Sequence, residues 1–134
     1  MPTPTRQQVE ALTVFLPRLY APDFAPVLKW EGGQKQANGA YTMPYPSYDP
    51  LVEEFFDAVR HKGWVDTSYQ PESSWQMLKD EAVVRSAGFD QIRQMLTYCV
   101  RGERFSDGHW EQMIAQGYIR RLLERLQELQ RDLP

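Results

Sequence analysis

The segment from Ser86 to Trp110 decides much of the fold, and it reads SAGFDQIRQMLTYCVRGERFSDGHW. Apolar residues in its first part recur at intervals of three and four, which is the period of one face of an α-helix. These residues are Ile92, Met95, Leu96, Cys99 and Val100. The spacing predicts a helix that is capped by Ser86, buries this apolar face and gives way to a turn near Phe105.

Helical signals continue on the C-terminal side of that turn. Ser106 or Asp107 is expected to cap a short helix that ends at Gly117. The last helix then carries apolar residues at spacings of 3, 4, 3 and 4, namely Ile119, Leu122, Leu126, Leu129 and Leu133. The C-terminal half is therefore predicted to be almost continuous helix.

Helix signals also occur on the N-terminal side of the opening segment. Thr3-Pro4 and Asp49-Pro50 each place a capping side chain before a proline, which is a helix start, and Pro17 should end or bend the first helix. Gly63 follows three cationic side chains and is expected to end the second helix with a positive φ. One short helix is predicted between Trp75 and Ala82.

Prolines and aromatic residues interrupt this pattern in the N-terminal half. Eight of the ten prolines lie in residues 1–50, and residues 31–48 combine three glycines with polar residues and three tyrosines. This composition indicates a flexible or irregular loop region, and Pro44 and Pro46 allow at most an edge strand there. The sequence thus predicts one mainly α-helical domain over residues 1–134, with five or six helices and room for one short hairpin.

Composition narrows the classes of function. The 15 basic and 18 acidic residues give a formal net charge of -3, which argues against a general nucleic-acid binder. One cysteine and two histidines cannot supply a multi-cysteine zinc site, and neither a metal nor a cofactor is expected. Because no apolar run has the length of a membrane span and no signal sequence is recognisable, we expect a cytoplasmic protein without membrane association.

The residues best suited to chemistry follow the central predicted helix. Arg101 and Arg104 are three apart on one helix face, and Asp107 and His109 belong to the turn that leads into the next helix. Two guanidinium groups beside a helix N-terminus form an arrangement that suits a phosphate or carboxylate. We therefore expect a small polar pocket for an anionic ligand, with Asp107 and His109 as candidates for hydrogen bonding or acid–base chemistry.

The same residues also allow a purely structural interpretation. The two arginines would bridge to Glu103, Asp107 or Glu111 and hold the turn together, and Phe105 and Trp110 would belong to the core. An arginine pair that faces protein carboxylates would favour this interpretation. An open pocket with both arginines facing solvent would favour the ligand site.

A resemblance to a known family lies in this same stretch. Leu96-Thr97, Val100-Arg101, Arg104-Phe105 and Gly108-His109 together resemble a family of small bacterial domains of unknown function. The similarity extends more loosely over residues 45–130. It implies a cytosolic bacterial domain without an established activity, and it supplies no mechanism.

Two classes of function remain open from the sequence. The first is a binding or interaction module, either a homodimer paired through the C-terminal helix or a domain that takes a protein partner on its aromatic N-terminal surface. The second is a small enzyme or anion-binding domain centred on residues 101–109. A helix-turn-helix regulator over residues 107–131 is a weaker third hypothesis, since Glu124 and Glu128 accompany the arginines of its second helix.

Overall fold

Helix forms 55% of the chain, and the computed structural model describes residues 1–134 in full. Seven helices of five residues or more and one single turn, α2, surround the core. They are α1 (Arg6–Thr13), α2 (Leu16–Leu19), α3 (Pro50–His61), α4 (Pro71–Lys79), α5 (Glu81–Arg85), α6 (Phe89–Arg101), α7 (His109–Ala115) and α8 (Tyr118–Gln130). The mainly α-helical prediction is confirmed, while the predicted number of five or six helices is slightly too low.

Two short strands complete the fold and form the hairpin that the sequence allowed. Strand β1 (Val27–Glu31) pairs antiparallel with β2 (Tyr45–Tyr48), and the register places Val27 opposite Tyr48 and Trp30 opposite Pro46. The proline is tolerated because a two-stranded sheet has only edge strands. The intervening residues, which were predicted to be irregular, form the hairpin loop, where Lys35 and Tyr41 make one isolated bridge.

Helix α6 lies at the centre of the packing, in contact with α3, α4, α7 and α8. Its predicted apolar face is buried, and it contributes to one hydrophobic cluster of 25 residues. Helix α8 covers the same core from the other side, where Ile119, Leu122 and Leu126 are fully buried within their own chain. Of the five residues that suggested pairing of two chains, these three are thus covered inside one chain, whereas Leu129 is half-buried and Leu133 is half-buried beyond the end of α8.

Several predicted helix boundaries are correct. Asp49 caps α3 by accepting a hydrogen bond from the Leu51 N–H at 2.9 Å. Gly63 and Gly117 both have a φ of 83° and follow helices, as predicted. None of the helices is long and apolar enough to cross a membrane.

Other boundaries differ, for local reasons. The first helix is capped by Thr5, not Thr3, because Thr5 and Gln8 satisfy each other's backbone N–H groups. Ser86 does not cap α6; its hydroxyl donates to the carbonyls of Ala82 and Val83 and closes α5 instead. The backbone N–H of Gly88 at the start of α6 is satisfied by the side chain of Gln91.

The short helix predicted between Trp75 and Ala82 is in fact two helices. Asp80 separates α4 from α5, and its carboxylate accepts hydrogen bonds from the backbone N–H groups of Ala82 and Val83. An aspartate in this position favours a helix start over the interior of a helix. The break turns α5 toward α8, which it contacts.

Candidate functional site

The corner that joins α6 to α7 is built from tight backbone turns. A 3-10 turn over Gly102–Arg104 continues α6, and Gly108 then adopts a φ of 91° before α7 begins. A side chain at Gly108 would be strained by that φ, and its Cβ would lie 2.9 Å from the indole of Trp30. The hairpin therefore rests directly on this corner.

Glu103 holds the corner together and fills the N-terminus of α7. One carboxylate oxygen accepts hydrogen bonds from the Trp110 N–H at 2.8 Å and from the Tyr48 hydroxyl at 2.7 Å. The other accepts from the Gly108 N–H at 3.0 Å. Because these donors favour a carboxylate, the helix end that the sequence offered to an external anion is occupied by the protein's own Glu103.

Two sequence predictions about this corner are corrected by that arrangement. Neither Ser106 nor Asp107 caps α7, because Gly108 occupies the capping position and Glu103 supplies the acceptor from the preceding turn. Phe105 does not belong to the core, since 80% of it is exposed. Trp110 does belong to the core, and its ring nitrogen donates to the Val100 carbonyl at 3.0 Å.

A pocket of about 480 Å³ opens beside the corner, between the ends of α3 and α6. Its lining combines charged and apolar side chains: Arg60, Val65, Val100, Arg101, Glu103, Arg104 and Trp110. This volume falls within the usual range for small-molecule sites.

The arginines of this pocket differ in how they are held. The guanidinium of Arg101 lies 5.4 Å above the ring of Tyr69, and that of Arg60 lies 5.2 Å above the ring of Trp110. Arg60 also pairs with Asp57 at 2.8 Å. Arg101 and Arg104 make no hydrogen bond or ion pair with any other side chain, and Arg104 is exposed.

His109 lies close to the pocket but is not part of its lining. It is buried beneath the backbone of Gly102, where a Cβ atom would overlap the imidazole ring, and it meets Tyr98 edge to face at 5.2 Å. Burial lowers the pKa of His109, while the charge of Glu103 offsets part of this effect. Its Nε2 atom has no hydrogen-bond partner.

The structure thus brings together two of the four predicted site residues. Arg101 and Arg104 line one pocket, whereas Asp107 is exposed outside it and His109 is covered by the corner. From the sequence, Arg60 was one of the cations at the end of the second helix, and no pattern indicated that it lines the same pocket as Arg101. That arrangement depends on the packing of α3 against α6.

The aromatic N-terminal surface that the sequence suggested for a partner falls into two groups of residues; its members are Tyr20, Trp30, Tyr41, Tyr45, Tyr48 and Trp64. Trp64 and Tyr48 are buried, and the hydroxyl of Tyr20 donates to the Ile114 carbonyl while it accepts from the Arg120 N–H. Trp30, Tyr41 and Tyr45 remain exposed on the hairpin and its loop. Only the second group presents a surface to solvent.

The remaining candidates for chemistry have structural surroundings. Cys99 is fully buried, and burial raises the pKa of its thiol. No group of three histidine, cysteine or acidic side chains is placed to hold a metal ion. The arginines of α8 face acidic partners, with Arg120 near Glu124, Arg121 near Glu81 and Arg125 near Glu128.

Comparison with known proteins gives a family but no activity. The model of the family of unknown function DUF6508 matches residues 4–132, so the chain belongs to this family. No curated protein and no solved structure shows significant similarity to it.

Proposed function

We propose that this member of the DUF6508 family is a binding module that holds an anionic ligand between Arg101 and Arg104. The observation that carries the proposal is that Arg101 and Arg104 line one open pocket and that neither guanidinium has a hydrogen-bond or ion-pair partner within the chain. The sequence left open whether the two arginines face protein carboxylates or an open pocket, and the open pocket is the arrangement that favours a ligand.

The neighbouring carboxylate supports this proposal. Glu103 lies between the two arginines in the sequence and lines the same pocket, yet its oxygens accept hydrogen bonds from Tyr48, Gly108 and Trp110. It is therefore committed to the fold and is a poor partner for the arginines. Their unused N–H donors form planar forks that match the oxygen atoms of a carboxylate or phosphate.

The lining of the pocket favours binding over catalysis. It includes no hydroxyl, thiol or imidazole group, and its one carboxylate, that of Glu103, already accepts hydrogen bonds from Tyr48, Gly108 and Trp110. His109, the one nearby imidazole, is buried against Gly102 and is not part of the lining. We therefore propose a ligand-binding role without a chemical step.

Melting curves in sulfate and in chloride at equal ionic strength test this proposal. A bound anion stabilises the folded state by mass action, so sulfate should raise the Tm of the wild type more than that of the Arg101→Ala/Arg104→Ala variant. The matched control is Arg85→Ala/Arg131→Ala, which removes the same charge from exposed positions outside the pocket.

The control is needed because sulfate also stabilises proteins generally, by exclusion from their surface. The control variant should show the full wild-type increase. An equal increase in wild type and both double variants would reject anion binding at this pocket.

A second candidate function is a protein interaction through the hairpin. Five of the eight exposed large hydrophobic residues lie there: Leu28, Trp30, Tyr41, Met43 and Tyr45. Such a cluster is typical of contact surfaces. If it pairs two copies of the chain, sedimentation should show a dimer that Leu28→Ser/Met43→Ser converts to a folded monomer, and a wild type that stays monomeric at high concentration would exclude this dimer.

A further inference from the structure

A third arginine reaches the pocket from a different helix. Arg60 belongs to the last turn of α3, whereas Arg101 ends α6 and Arg104 belongs to the following 3-10 turn. The three arginines therefore line one pocket although they belong to different elements, because α3 and α6 pack against each other.

The charges of the lining do not cancel. Three arginines face one carboxylate, that of Glu103, which leaves an excess of two positive charges in a chain whose formal net charge is -3. Asp57, the one ion-pair partner of Arg60, is exposed to solvent and lies outside the lining, so water screens its charge more than the charges inside the pocket. An occupant with two negative charges would balance this lining, and a monoanion would not.

The number of guanidinium groups in the lining favours three acceptor oxygens over two. A carboxylate has two oxygens, so it can face at most two guanidinium forks side by side. A phosphate monoester has three terminal oxygens at tetrahedral angles, and it carries two charges above its second pKa of about 6. Three arginines in one lining suit the phosphate group better.

The rest of the pocket is apolar. Val65, Val100 and Trp110 line it. One face of the Trp110 ring stacks on Phe56 at 4.5 Å and Arg60 lies over the ring, which fixes both the ring and the guanidinium in place. A ligand that is only an inorganic anion would leave this apolar wall uncovered.

We propose that the pocket binds a small organic phosphate, in which a dianionic phosphate group is attached to an apolar or aromatic body, and that Arg60 selects the dianion over a monoanion. The proposal rests on the anion-binding function above and names its ligand class. Arg101 and Arg104 supply the basic affinity for an anion. Arg60 supplies the preference for the second charge.

Two ligands of nearly the same shape separate these roles. Phenyl phosphate is a dianion at pH 8, whereas phenyl sulfate has the same arrangement of atoms around its central atom and one charge. In calorimetric titrations of the wild type at pH 8, phenyl phosphate should bind about tenfold more tightly than phenyl sulfate. Inorganic phosphate should bind less tightly than phenyl phosphate, because it cannot cover the apolar wall.

Variants assign the preference to Arg60. Arg60→Ala should bring the ratio of the affinities for phenyl phosphate and phenyl sulfate close to one, because it weakens the binding of phenyl phosphate much more than that of phenyl sulfate. Arg60→Lys should restore part of the preference for phenyl phosphate. Arg18→Ala is the matched control, because Arg18 is also stacked on an aromatic ring, that of Phe15, but lies outside the pocket. It should leave both affinities unchanged.

The outcomes distinguish the two proposals. If neither phenyl ligand nor sulfate binds, the anion-binding function itself is wrong. If both phenyl ligands bind equally, or if Arg60→Ala lowers both affinities by the same factor, the function stands and the selection of a dianion by Arg60 is rejected. Equal affinities for inorganic phosphate and phenyl phosphate would reject the proposal that an apolar or aromatic part of the ligand contributes to binding.

Discussion

Helix α6 carries an arginine near its start and another at its end, and the surroundings of the two side chains are opposite. Arg93 is almost fully buried, and its guanidinium donates to the carbonyls of Gly63 and Pro2 and to the carboxylate of Asp90. Arg101 lines an open pocket without any such partner.

The comparison shows how one residue type serves the fold at one end and remains available for a ligand at the other. Each N–H of Arg93 that finds a carbonyl adds a tie between distant parts of the chain, here the N-terminus and the segment after α3. An arginine whose donors are all free adds charge to the surface and little to stability. Hydrogen bonds to backbone carbonyls thus mark Arg93 as a structural arginine, whereas the donors of Arg101 remain available to a ligand.

The largest effect should come from removing Arg93. Arg93→Ala would leave the carbonyls of Gly63 and Pro2 without donors and would remove the side chain that lies over Trp64. We expect a loss of about 3 kcal/mol in the free energy of unfolding, measured with urea. Arg101→Ala, the same change at the other end of α6, should cost less than about 0.5 kcal/mol; equal losses would contradict the comparison.

The next effect tests how tightly the pocket end of α6 is packed. Gly102→Ala would place a Cβ atom against the imidazole of His109, and we expect a loss of about 2 kcal/mol from this overlap. Gly88→Ala, at the other end of α6, is the matched control because nothing lies within 4 Å of its Cβ position. If urea unfolding gives both variants the same stability, His109 does not lie where the structure places it.

The difference between the two ends of α6 also marks how far the sequence alone can predict this molecule. The apolar period of α6, that of α8 as far as Leu129 and the helix start at Asp49 depend on neighbours in the sequence, and these were predicted correctly. Leu133, which was predicted to continue the last helix, lies beyond its end at Gln130. Ser86 was assigned to the wrong helix because a serine between two helices can bond to either, and nearby Gly88 and Gln91 already satisfy the start of α6.

The site was predictable only in part, for a related reason. Arg101 and Arg104 share a helix face, so their spacing was enough to place them together. Arg60 joins them only through the contact of α3 with α6, and Glu103 is held by Tyr48 of the hairpin, 55 residues away. Long-range packing of this kind leaves no local pattern in the sequence.

A smaller effect on stability is expected from a change in Glu103, the protein's own carboxylate in the pocket, and this change should have the opposite effect on the affinity for an external anion. Glu103→Gln removes a charge that accepts hydrogen bonds from Tyr48, Gly108 and Trp110, and we expect a loss of about 1.5 kcal/mol in the free energy of unfolding. The same variant should bind phenyl phosphate more tightly, because the pocket loses its one negative charge. Weaker binding would mean that Glu103 positions the ligand or the arginines.

The smallest effect concerns pH and the buried imidazole beneath the pocket. Burial lowers the pKa of His109 in the folded chain below its ordinary value of 6.5, so the unfolded chain binds a proton at a higher pH than the folded chain does. Stability should therefore decrease as the pH falls below about 6.5 and should not change through this group at higher pH. Hydrogen bonds from Ser68 lower the pKa of Asp66, so its contribution is lost below an ordinary value of 3.8, in a separate range.

Urea unfolding of the wild type and of His109→Gln between pH 7.5 and pH 5 measures this contribution. The variant should lose less stability than the wild type over this range, since it lacks the group that the unfolded chain protonates. His61→Gln, which changes an exposed histidine at the end of α3, should behave like the wild type. If His109→Gln and the wild type lose the same amount, the imidazole is not confined beneath Gly102, and it would then be accessible to a ligand beside Arg101.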